Sequence, residues 1–88
     1  MMNPESRPQL KPGCRLSPAG DILLIPESVL RLQGPARLIV EACDGTKTIS
    51  QIVSHLLQSF PGAEPAKVSQ ETTSFLSQLA EKGVVQFL

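Results

Sequence analysis

Gly34-Pro35 divides the chain into two regimes. Before it, apolar residues recur with the period of two that belongs to half-buried strands; after it they recur at the period of about 3.6 that belongs to helices. Proline lacks the N–H that a first helical residue would leave unpaired, and glycine is accepted as the cap before it, so the dipeptide predicts where helix begins. A chain whose strands all precede its helices is expected to fold as an α+β domain, not as an alternating parallel-sheet protein.

Upstream of that boundary three extended segments are expected. In the first, Leu10, Pro12, Cys14 and Leu16 share one face and Lys11, Gly13 and Arg15 the other, with Pro12 marking an edge strand. Ser17 to Gly20 reads as a turn, and Asp21 to Ile25 as a short apolar strand that Pro26 and Glu27 interrupt. Ser28 to Leu32 resumes the extended pattern, with Leu30 and Leu32 on one face and Val29 and Arg31 on the other. Residues 1–8, with Pro4, Pro8 and polar neighbours, read as a disordered arm before a single domain over 9–88.

Downstream, Ala36, Ile39, Val40 and Cys43 give a short first helix, with Gly45 as the expected terminator. Thr48 and Gln51 stand at capping-box spacing and start a second, whose stripe is Ile49, Ile52, Val53, Leu56, Leu57 and Phe60 before Pro61-Gly62 stops it. A third helix is expected from Pro65 to Lys82, with Val68, Thr72, Phe75, Leu76 and Leu79 on its stripe and Gly83 at its end. Val84 to Leu88 is an apolar tail expected to pack on the body. The fold class that results is a three-stranded antiparallel sheet followed by three helices, winged-helix-like.

Composition removes several functions. With 88 residues there is room for one domain, and a chain this short buries only roughly 60 to 65% of the surface it exposes when unfolded. A hydrophobic share of 41% is too high for an intrinsically disordered chain. Eight basic residues balance eight acidic ones without clustering, which gives no phosphate-binding surface. The longest aliphatic run, Ile22 to Ile25, is far short of the roughly 20 residues of a membrane span. Without an apolar signal-peptide core in Met1 to Pro8, a cytoplasmic location is expected.

Chemistry-bearing residues are few. Cys14 and Cys43 read as buried free thiols, and one histidine without paired cysteines gives no zinc site, so neither metal nor cofactor is expected. His55 lies among Ser54 and Gln58 on a polar helical face, no carboxylate dyad is visible, and no glycine pattern cradles phosphate, so the chain is read as non-enzymatic. Two binding alternatives remain. A winged-helix nucleic-acid binder is opposed by the mixed charges Lys67, Glu71, Glu81 and Lys82 and by the lack of Trp or Tyr for stacking. An acyl or peptidyl carrier is opposed by the position of Ser28 in an extended segment instead of at a helix start.

Three stretches in order, Leu23-Leu24-Ile25-Pro26-Glu27, Cys43-Asp44-Gly45 and Thr48-Ile49-Ser50-Gln51-Ile52, together with Arg15-Leu16, resemble the PqqD family of pyrroloquinoline quinone (PQQ) biosynthesis from about Pro8 to the C-terminus. Ile22 stands where that family often has an aromatic. The resemblance implies a peptide chaperone of the RiPP recognition element type, without catalytic residues, that binds the leader of a precursor peptide. It also implies presentation of that peptide to a radical S-adenosylmethionine (SAM) enzyme that holds the iron-sulfur cluster. The leader is expected to add as a strand beside Val29, Leu30, Arg31 and Leu32, against a groove wall formed by Glu71, Phe75, Gln78 and Lys82. The same unpaired edge allows strand exchange between two copies, giving a homodimer in the absence of peptide.

Overall fold

The computed structural model describes residues 3–26 and 28–88; Met1 and Met2 of the expected arm and Glu27 of the expected interruption lie outside the described residues. In chain order the elements are β1 (Pro8–Leu10), β2 (Arg15–Leu16), β3 (Ile22–Ile25), β4 (Ser28–Arg31), α1 (Pro35–Glu41), α2 (Ile49–Ser59), α3 (Pro65–Glu81) and β5 (Val85–Phe87). Strands β2, β3 and β4 form an antiparallel sheet in that order, and β1 and β5 pair antiparallel in a second, two-stranded sheet. The α+β class and the three-stranded antiparallel sheet agree with the alternation read from the sequence.

The expected first strand from Leu10 to Leu16 is in fact two. Cys14 N–H donates to the Lys11 carbonyl at 3.1 Å and Gly13 adopts a φ of 90°, so the chain turns where the alternation appeared continuous. The first piece, β1, leaves the main sheet to pair with β5, in register Pro8↔Phe87 to Leu10↔Val85. The tail expected merely to pack is thus a strand. Residues 3–8, expected as part of a disordered arm, lie against the body: Pro4 and Ser6 carbonyls accept from the amides of Ser50 and Ile49, at 3.1 and 3.0 Å. Those amides belong to the first turn of α2, which has no intrahelical partner for them. Ser6 and Pro8 are buried.

Helix boundaries follow their caps. Gly34 is the N-cap of α1, at φ 57°, with Pro35 the first helical residue. The Thr48 hydroxyl accepts from Gln51 N–H at 3.1 Å while Gln51 Oε1 accepts from Thr48 N–H at 2.8 Å, a complete capping box at the start of α2. Beyond α3, Val84 N–H donates to Leu79 and Gly83 N–H to Ala80, the pair of bonds of a Schellman ending, with Gly83 at φ 74°. Gly45 does not end α1, which stops at Ala42. Its N–H instead donates to the Pro8 carbonyl at 3.0 Å, and at φ 81° a Cβ there would stand 3.0 Å from Leu88 Cδ1.

The core lies between the inner face of the main sheet and the helices. Leu23 and Leu32 from the sheet side meet Ile39 and Val40 of α1, Ile49, Ile52 and Leu56 of α2, Leu76 and Leu79 of α3, and Val84 and Val85 at the chain's end. Thr72, on the expected stripe of α3, is buried; Leu57 and Phe60 of the α2 stripe are not, and Phe60 is 39% exposed. Helix α3 packs mainly on α2 and β5.

Candidate functional site

An antiparallel strand alternates the direction of its backbone hydrogen bonds, and the register of β4 fixes which groups remain free. Ser28 stands opposite Ile25 and Leu30 opposite Leu23, while Leu32 N–H donates to the Asp21 carbonyl at 2.8 Å. The even-numbered residues therefore bond to β3. Val29 and Arg31 turn their N–H and C=O groups to the other side, where among the described residues no strand takes them up. The expected edge is an edge, and its alternate residues carry backbone groups that no described strand satisfies, the Val29 carbonyl accepting only from the Ser28 hydroxyl at 3.4 Å. Leu32 is 4% exposed and Leu30 half-buried against the core, whereas Val29 is 58% exposed and Arg31 is exposed.

Glu71, Phe75, Gln78 and Lys82 recur at four, three and four residues, which sets them along one flank of α3 and its cap. Two concavities tie that flank to the start of β4 and to the start of α1. Glu71 and Phe75 line a cavity of about 240 Å³ together with Pro35 and Ala36, which follow β4. At the other end Lys82 lines a second, of about 360 Å³, with Ser28, the first residue of β4, and Ile25 and Pro26 before it. The α3 flank thus shares one cavity with Ser28 at the start of β4 and another with the first residues of α1. Gln78 is exposed between these ends and lines neither cavity.

Phe75 is expected both on the core stripe of α3 and on the groove wall. It is half-buried, packs against the core, and also lines the cavity. The sequence did not reveal the floor of that cavity, made by Ile39, Leu56, Val68 and the exposed Phe60 with Ala63. Phe60 had been placed on the core stripe of α2; its position just before the helix-stopping Pro61-Gly62 was the signal that the stripe had run past the core.

Among the described residues no group of three or more His, Cys, Asp and Glu could hold a metal ion. Burial and the neighbouring Asp44 charge push the Cys43 thiol up to about 12, and its Sγ–H donates to the Ile39 carbonyl at 3.1 Å, which makes it an inert part of the core. Cys14, expected buried, is only half-buried and lines the cavity at the Lys82 end. Asp44 is held down at about 2 by hydrogen bonds from the Thr46 hydroxyl and amide, helped by Lys47 at 3.3 Å. That cluster staples the loop before α2. His55 is exposed, as its helical face predicted. Ser28 lies in a strand and not at a helix start, which is unlike the attachment serine of a carrier. No described helix is long and apolar enough to cross a membrane.

Comparison with known proteins bears on the same region. The family model described as Coenzyme PQQ synthesis protein D (PqqD) matches residues 21–85. PqqA binding protein 1 of Pseudomonas putida is 41% identical over 59 residues, a stretch that spans 62% of this chain and 65%, just under two thirds, of that relative. The PqqA binding protein of Xanthomonas axonopodis pv. citri is 31% identical over 86 residues, 93% of this chain and 92% of the relative. Among solved structures, the solution NMR structure of the PqqD truncation of Methylobacterium extorquens PqqCD aligns with a TM-score of 0.75 at 29% identity, covering 98% of this chain and 95% of that one. That protein is described as a functional and stand-alone RiPP recognition element.

Proposed function

The chain belongs to the PqqD family of coenzyme PQQ synthesis proteins, and from that premise we propose that it is a peptide chaperone that binds the leader of the PqqA precursor and presents it for modification. The observation that carries this reading is the free edge of β4, at whose start Ser28 shares a cavity with Lys82 of the α3 flank. Backbone groups of Val29 and Arg31 set the register of an added strand. Side chains that the added strand turns inward meet Phe75 and the apolar cavity beside it, and those at the charged ends meet Glu71 and Lys82, with Gln78 between. The relatives named PqqA binding protein support the identity of the peptide.

Its role is binding and not catalysis, and the enzyme served is a radical SAM enzyme whose cluster makes the cross-link. Holding the peptide raises its effective concentration at that enzyme. The proposed compartment is the cytoplasm, where the free thiols Cys14 and Cys43 would stay reduced. Without peptide, two copies pair or exchange strands through the β4 edge as a homodimer. The test is reconstituted cross-linking of the precursor by the radical SAM enzyme with and without this protein. A rate that depends on its presence supports presentation. An equal rate in its absence refutes it.

A further inference from the structure

The side of the main sheet that faces away from the helices is not polar. Pairing places Arg15, Leu24 and Val29 in one row across the strands and Ile22 and Arg31 in the next, all on the face opposite Leu23 and Leu30. Ile22 and Leu24 are not among the side chains that pack against the core, whereas Leu16, Ile25 and Leu30 of the opposite face are. The result is an aliphatic diagonal with an exposed arginine at each of two opposite corners. Among the described residues neither guanidinium has a carboxylate within 4 Å, the one ion pair being Lys47–Asp44.

We propose that this outer face is the docking surface for the modifying enzyme, through an aliphatic patch on that enzyme flanked by carboxylates. The inference rests on the proposed presentation role and goes beyond it to a second surface. Charge complementarity selects the occupant: two arginines with no carboxylate partner among the described residues, set around apolar side chains, favour an acidic rim and disfavour a second copy of the same face. Continuity selects it again. A strand added beside β4 has its inner face closed by α3, so its alternate side chains on the other face extend the row that ends in Val29. A protein docked there touches chaperone and peptide together, and the two bind cooperatively, each raising the other's affinity by the same factor.

The experiment uses the full chain, the PqqA precursor and the radical SAM enzyme, with Leu24→Glu and Arg15→Glu, neither of which lies on the peptide edge. Binding of each partner is measured by calorimetry, with amide spectra recorded to establish folding. The expected result is peptide affinity within about twofold of wild type and enzyme affinity lower by about tenfold or more in both variants. The wild-type enzyme affinity is expected to rise when peptide is present. Arg15→Glu, at an exposed position, keeps the test decisive should Leu24→Glu fail to fold. Unchanged enzyme affinity in a folded variant that binds peptide overturns the surface while leaving presentation intact. Failure of the wild-type chain to bind the enzyme overturns both, and failure to bind peptide overturns the function proposed above. A self-association that the variants abolish would assign the face to a second copy, against the proposal.

Discussion

Two thiols of the same chain differ because their surroundings differ. Cys43 is buried with its proton engaged by the Ile39 carbonyl, and ionising it would place a charge in the core next to Asp44. Cys14 is half-buried beside a surface cavity. Alkylation at about pH 8 followed by mass spectrometry should therefore label Cys14 alone in the folded protein and both thiols in denaturant. The sign for stability follows from the same shift: the folded thiol titrates higher than the unfolded one, so its contribution is complete below pH 9 and is lost as pH rises toward 12. A Cys43→Ala variant should lose less stability over that interval than wild type does. At Gly45 the constraint is conformational. With a φ of 81° and Leu88 Cδ1 at 3.0 Å from any Cβ, Gly45→Ala should cost about 1 to 2 kcal/mol in urea unfolding. A neutral result would show that the loop shifts freely.

At the scale of elements, the helices were legible because their signals are local. The capping box at Thr48 and Gln51 and the Gly83 ending depend on residues within one turn of each other, and the β3–β4 hairpin on residues within one short segment. What escaped was long-range. Nothing within Leu10 to Leu16 states that Leu10 pairs with Val85, at the far end of the chain, so one alternating run was read where two strands serve two sheets. The α3 flank was read through resemblance, and it meets β4 only at the Ser28–Lys82 cavity; the cavity at its other end, assembled from all three helices and the residues that follow α2, left no pattern in any one of them. Because Phe75 packs on the core and also lines the cavity, Phe75→Ala should weaken both folding and peptide binding, each by about 1 kcal/mol or more. Gln78→Ala, at an exposed site that lines no cavity, should leave stability within about 0.5 kcal/mol of wild type. Parallel denaturation and calorimetric titration separate the two quantities.

At the scale of the molecule, a chain of 88 residues has little stability to spare, and β4 is one free edge of its main sheet. Peptide at about 100 times its Kd should raise the unfolding free energy by about 2.7 kcal/mol, seen as an upward shift in Tm. On the proposed reading, peptide and a second copy compete for β4, so light scattering should show the dimer fraction falling as peptide is added; a dimer indifferent to peptide would mean that it forms elsewhere. The central claim, that the precursor's leader joins the sheet as a strand at β4, is tested most directly by residue-resolved amide exchange of the protein with and without the precursor peptide. Val29 and Arg31 should exchange fast in the peptide-free monomer, at a concentration too low for two copies to pair, and become protected in the complex, while Leu30, already bonded to β3, changes little. Protection that appears on other elements, or not at all at saturating peptide, would contradict strand addition at this edge.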